Sequence, residues 1–271
     1  MPPRKRFGQH WLRSDVILQQ IVKAAALKES DRVLEIGPGQ GVLTRRLLPL
    51  IQSLVCVEID RDLCQLLVQK LGKVENFLLL QGDFLSLDLA QALANFPRFQ
   101  APNKVVANIP YNITSPILEQ LLGTLSAPAF PAYECIVLLM QKEVADRISA
   151  TPGSKAYGAL SVRVQYLAQT ELICPVPASA FSPPPKVESA VLRLIPRAYP
   201  QAAAHPKQLE ALIKLGFANR RKMLRNNLKS LIDSDRLTPI LEQLKIAPQA
   251  RAEEISLPQW IDLSHSLFFS P

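Results

Sequence analysis

Short apolar runs alternate with amphipathic stretches from Arg32 to about Ala150, which predicts a sheet with crossover helices. Five runs read as strands, at 32–36, 53–57, 76–80, 104–107 and 135–140. Helical spacing is predicted over 14–27, with Ser14 as N-cap, over 42–50 and over 141–149. Thr151-Pro152-Gly153-Ser154 breaks the chain, and a helix over 160–168 and strands over 171–174 and 188–194 follow. Three prolines and several alanines mark 195–206 as a linker. Beyond it the spacing is helical over 207–218, 220–231, 236–244 and 258–268. The expected class is α/β, a Rossmann-like doubly wound sheet followed by a small all-helical domain. The boundaries follow as a basic arm over 1–13, an α/β domain over 14–197 and a helical domain over 206–271.

The chemistry gathers where the strands end. Residues 32–41, Arg-Val-Leu-Glu-Ile-Gly-Pro-Gly-Gln-Gly, run from a strand into glycines 37, 39 and 41, with a helix expected from Val42. Gly37 and Gly39 let backbone approach a ligand closely, and a helix start favours a carboxylate or phosphate. The dinucleotide fingerprint needs a third glycine three residues after the second, and Val42 stands there, which argues against a nicotinamide cofactor. Glu58 closes the second strand about 20 residues beyond the first glycine, where an acid accepts from ribose hydroxyls. Asp83 follows the third strand and is placed to accept from the amino group of a cofactor adenine.

The fourth strand ends in Asn108-Ile109-Pro110-Tyr111. This tetrapeptide suits methylation of an exocyclic amine on a nucleobase. The adenine N6 lone pair is delocalised into the ring, so acceptors placed at its two N–H groups would help. The Asn108 side-chain oxygen and the Ile109 carbonyl supply them, and Tyr111 offers a face for stacking. An ordinary strand-to-proline turn is the plain alternative.

Charge adds a partner. Residues 1–13 carry Arg4, Lys5, Arg6 and Arg13, and residues 219–229 carry Arg220, Arg221, Lys222, Arg225 and Lys229, with no acid in either segment. Removing those nine from 31 bases leaves 22 against 23 acids, so the remainder is near neutral. Two concentrated basic segments point to a polyanion. Arg221 and Arg225, four apart on the expected 220–231 helix, should project together. The four cysteines are scattered and there are three histidines, so no metal site is expected, and reduced core cysteines fit a cytoplasmic protein. No signal peptide and no membrane-length apolar run is visible.

Further stretches carry a resemblance. These are Arg-Lys-Arg-Phe-Gly-Gln-His-Trp-Leu at 4–12, Val-Glu-Ile-Asp at 57–60 and Met-Gln-Lys-Glu-Val at 140–144. Ser-Lys-Ala-Tyr-Gly at 154–158, Phe-Ser-Pro-Pro-Pro-Lys-Val at 181–187, Asn-Arg-Arg-Lys at 219–222 and Arg225-Asn226 complete the set. With the glycine and Asn108 motifs, the chain resembles the KsgA (RsmA) family of ribosomal RNA adenine dimethyltransferases over nearly its whole length. The resemblance implies the class I S-adenosylmethionine-dependent fold. It implies N6,N6-dimethylation of two adjacent adenosines in a hairpin loop near the 3′ end of 16S rRNA, within the 30S subunit or its precursor. His10 and Leu12 should join Gly37, Gly39, Glu58, Asp83 and Asn108 around the cofactor. Some relatives carry Asn at the position of His10, and the contact there is expected to survive the change. The Phe181 loop is implied to border the base pocket, so that Tyr111 and Phe181 clamp adenine between them; a hydrophobic plug is the other reading of that ring. A monomer is expected. The rival readings are a large-subunit adenine dimethyltransferase of the antibiotic-resistance type and a non-catalytic relative acting as a transcription factor.

Overall fold

The computed structural model describes residues 9–130 and 133–269. Arg4, Lys5 and Arg6 lie outside these residues. Nine strands form among them: β1 Trp11–Leu12, β2 Arg32–Ile36, β3 Ser53–Glu58, β4 Phe77–Gln81, β5 Lys104–Asn108, β6 Cys135–Gln141, β7 Ala168–Val176, β8 Phe181–Ser182 and β9 Ser189–Pro196. Seven make one sheet in the order β4-β3-β2-β5-β6-β9-β7. β2 pairs in parallel with β3 and β5, as do β3 with β4 and β5 with β6, while β6 and β9 run antiparallel.

This order follows from burial on both faces. β3 reads Ser-Leu-Val-Cys-Val-Glu, and all six residues are buried, as befits a central parallel strand. The chain leaves β2 toward β3 and β4, then returns to β5 on the other side of β2. That reversal opens a crevice beyond the C-terminal ends of β2 and β5, the usual ligand position in such sheets.

Ser14 caps the helix Asp15–Ala24, its Oγ accepting from the Ile17 amide at 3.5 Å. The helix stops short of the expected Leu27 because Ala26 turns to φ +44°. The expected 42–50 helix is reduced to Thr44–Leu47 and a 3₁₀ turn, Leu48–Leu50. Gly41, at φ +74°, and the turn after it use up the first residues. So no long helix starts at the glycine loop, and the expected helix-end anion site is absent from the described residues.

The described residues divide into two compact units. The first comprises residues 9–121, 133–145 and 171–196, and the second comprises 122–130, 146–170 and 197–269. The expected boundary at 197–206 therefore marks only the last crossing, since 122–130 and 146–170 group with the C-terminal helices. In the second unit, helices Ala159–Leu167, Pro206–Gly216, Ser234–Gln243 and Leu257–Phe269 enclose the fully buried Trp260. Gly216 is required there, because a Cβ would overlap the Trp260 ring.

The 220–231 helix is not formed as expected. Arg220 to Lys222 lie in a turn, and only Leu224–Asn227 is helical. Arg221 and Arg225 therefore share no helix face. Arg220 is held within its own unit, donating through Nη2 to the Lys155 and Tyr157 carbonyls at 2.7 and 2.9 Å and pairing with Glu253 at 3.0 Å. Arg221 and Lys222 are exposed, and Arg225 is half-buried.

Candidate active site

A cavity opens at the sheet's crevice, and most of its walls come from the ends of strands. β2 supplies Gly37 to Gln40, β3 supplies Glu58 and Ile59, the β4 end supplies Gly82 to Phe84, and β5 supplies Asn108 to Tyr111. The arm, Gln9 to Leu12, supplies the last wall. The structure thus brings His10, Leu12, Gly37, Gly39, Glu58, Asp83, Asn108 and Tyr111 together.

The glycines are used as glycines. Gly37 and Gly39 sit at φ +66° and +59°, where side chains are strained. Nothing lies within 4 Å of where a Gly37 Cβ would be, so a ligand has room against that backbone. At Gly39 the Trp11 ring lies 3.4 Å from the corresponding point. Trp11 was not among the expected site residues; its tie to the site is packing against a glycine 28 positions away.

Glu58 is 4% exposed, and its oxygens accept from the Asp60 amide at 2.9 Å and the Gly39 amide at 3.1 Å. Burial pushes its carboxyl up, and these amide donors counter that effect. Asp83 is exposed and accepts from the Leu85 amide at 3.0 Å. Beneath them, Glu35 is 1% exposed and accepts from Thr44 Oγ1 at 2.7 Å. Burial raises its carboxyl to about 7. Ribose hydroxyls and an adenine amino group fit Glu58 and Asp83, and the open glycine backbone fits the rest of S-adenosylmethionine.

At the end of β5, Asn108 Nδ2 donates to the His10 carbonyl at 3.3 Å. Its Oδ1 has no partner among the described residues and remains available as an acceptor. Tyr111 begins a 3₁₀ turn, and its hydroxyl lies 2.6 Å from Ser189 Oγ, a side chain fully buried at the start of β9. Burial raises the phenol above its usual value, an effect reduced by the Ser189 bond. The His10 ring lies nearly parallel to Tyr111, at 14° with centroids 6.2 Å apart.

Phe181 stands elsewhere. It is 4% exposed, belongs to the apolar core with Leu12, Ile17 and Val176, and does not line the cavity. β1 and β8 pair antiparallel, with Leu12 opposite Phe181, which turns the ring inward. The expected Tyr111–Phe181 clamp is absent from this structure, and the hydrophobic-plug reading describes the ring. Ser189 was missed as a site residue because a serine after Lys-Val-Glu carries no local signal; only the β9 register brings it to Tyr111.

A mostly parallel sheet with this order, a glycine loop at its crevice and an acid at the end of the next strand define the class: an S-adenosylmethionine-dependent methyltransferase. The family described as "Ribosomal RNA adenine dimethylase" matches residues 2–268, and the chain belongs to it. Over 265 residues it is 66% identical to "Ribosomal RNA small subunit methyltransferase A" of Rippkaea orientalis, covering 98% of this chain and 97% of that protein. The protein of the same name from a Nostoc species is 65% identical, with 98% of each covered. Among solved structures, a dimethyladenosine transferase from Plasmodium falciparum superposes with a TM-score of 0.76 at 27% identity, covering 94% of this chain and 96% of that one. The 23S rRNA methyltransferase ErmE gives 0.73 at 28% identity, covering 95% and 99%.

Proposed function

We propose that this enzyme transfers methyl groups from S-adenosylmethionine to the N6 amines of two adjacent adenosines in the 3′-terminal hairpin loop of 16S rRNA, twice at each base. The observation that carries this reading is the Asn108 carboxamide. It stands at the cavity edge with Nδ2 engaged by His10 and Oδ1 open. An amine that is itself a donor needs that acceptor. The small-subunit substrate is supported by the names of relatives at 60–66% identity, against 28% for the large-subunit enzyme ErmE.

The cofactor supplies a methyl group already activated on a sulfonium. What the chain contributes is alignment. Glu58 and Asp83 hold the nucleoside part, the Gly37–Gly39 backbone receives the amino-acid part, and Asn108 and the Ile109 carbonyl orient the amine. Tyr111, fixed by Ser189, offers the stacking face. At the second transfer the amine retains one N–H, so the two acceptors share a single donor and Asn108 matters unequally in the two steps. Exposed Arg221 and Lys222, with Arg4, Lys5 and Arg6 of the arm, meet rRNA phosphates, and Arg225 adds to them. The enzyme acts as a cytoplasmic monomer on the 30S subunit or its precursor. No described helix is long and apolar enough to cross a membrane.

Transfer of labelled methyl to immature 30S particles, with 50S particles as control, tests the reading. Label confined to two adjacent adenosines of 16S rRNA is expected. Label in 23S rRNA, or rRNA binding with no transfer, would replace it with one of the rival activities.

A further inference from the structure

We propose that the His10 side chain is a positioning residue that sets which end of the Asn108 carboxamide faces the substrate amine. This rests on the assignment of Asn108 to that amine. His10 Nδ1 lies 2.9 Å from the Pro183 carbonyl oxygen. A carbonyl only accepts, so Nδ1 carries a proton and donates. The bond joins residues 173 positions apart and anchors the arm to the proline loop beside the β1–β8 pair.

The next contact runs from the same residue. The His10 carbonyl accepts from Asn108 Nδ2 at 3.3 Å. A carboxamide is nearly symmetrical in shape, and only its partners decide which end points where. Holding Nδ2 on His10 leaves Oδ1 for the amine. Releasing His10 from Pro183 frees its carbonyl to drift, and the amide can then rotate and present donors to a donor. Pro183, His10 and Asn108 thus form a relay from a loop outside the cavity to the acceptor inside it.

His10 also stacks against Tyr111, so the donor and the ring must be separated by experiment. His10→Phe keeps a ring and removes the donor. His10→Asn removes the ring and keeps an N–H at the same number of bonds from the backbone. Both variants are made in the full chain. The Asn108 side-chain amide resonances, identified by their loss in Asn108→Asp, report the relay without substrate. They are expected to shift or broaden in His10→Phe and to stay close to wild type in His10→Asn. Single-turnover methyl transfer to immature 30S particles at saturating cofactor is expected to fall roughly tenfold to a hundredfold in His10→Phe. His10→Asn should exceed His10→Phe by at least about tenfold, and saturating cofactor keeps any change in cofactor affinity out of that comparison. An asparagine variant as slow as the phenylalanine variant, or unmoved amide resonances in His10→Phe, overturns the proposal. If wild-type protein transfers no methyl to 30S particles, the adenine reading fails, while the resonances still decide whether His10 positions Asn108.

Discussion

Glu35 should make the stability of this enzyme fall as pH rises toward neutrality, and a single substitution should remove the effect. The carboxyl lies inside the fold at the end of β2, 1% exposed, with Thr44 Oγ1 donating at 2.7 Å and Cys56 Sγ at 3.4 Å. Burial is the dominant influence, and the charge of Glu58 acts in the same direction; together they outweigh both donors and lift the carboxyl from 4.5 to about 7. In the unfolded chain it returns to its ordinary value. Between the two values the folded state holds a proton that the unfolded chain has lost. The stabilisation is therefore complete below about 4.5 and is lost as pH rises through about 7. At about 1.4 kcal/mol for each pH unit, the interval corresponds to roughly 3 kcal/mol. Glu35→Gln keeps the shape and an acceptor for Thr44 and does not ionise. Denaturant unfolding followed by circular dichroism from pH 4.5 to 8 should show wild type losing about 3 kcal/mol relative to the variant. Titrating groups that do not interact with Glu35 cancel in that difference, including Asp31, which is shifted the opposite way. A difference that stays constant with pH would refute the reasoning.

Ser189→Ala should slow single-turnover transfer and lower stability by about 1–2 kcal/mol, because the Tyr111 hydroxyl loses its 2.6 Å partner; Tyr111→Phe in the same background should add little further, since both lesions remove one bond. Phe181→Ala should cost about 3–5 kcal/mol of stability as a core truncation, read by denaturant unfolding, so that any loss of activity comes with loss of fold. Arg220→Ala should lower thermal stability by about 1 kcal/mol through its carbonyl and Glu253 contacts and leave the salt dependence of 30S binding unchanged. The pair Arg221→Ala and Lys222→Ala should do the reverse, flattening the slope of log affinity against log salt by about 0.7–0.9 for each phosphate that is no longer neutralised.

The strand signals were legible because each central strand is buried on both faces, which demands an unbroken apolar run. That physics alone places β2, β3, β5 and β6 within a residue or two of their observed positions. The glycines at 37 and 39 were legible for a similar reason: few residues other than glycine accept their backbone angles. Because consecutive parallel strands all point their C-terminal ends one way, motifs at those ends had to meet, and Gly37, Glu58, Asp83 and Asn108 do.

Side-chain direction was decided only by tertiary structure. Phe181 in an exposed-looking proline loop points inward because β8 pairs with β1 and sets Leu12 opposite it. Ser189 reaches Tyr111 through a strand register that no local pattern encodes. The helix expected over 220–231 yields to a turn in which Arg220 satisfies two carbonyls and a carboxylate, although its arginines and lysines favour helix individually. Periodicity records which residues must leave water, and so it determines the elements and the edge where the site forms. Which partner each polar group finds depends on atoms brought together from distant positions, and only the folded chain settles that.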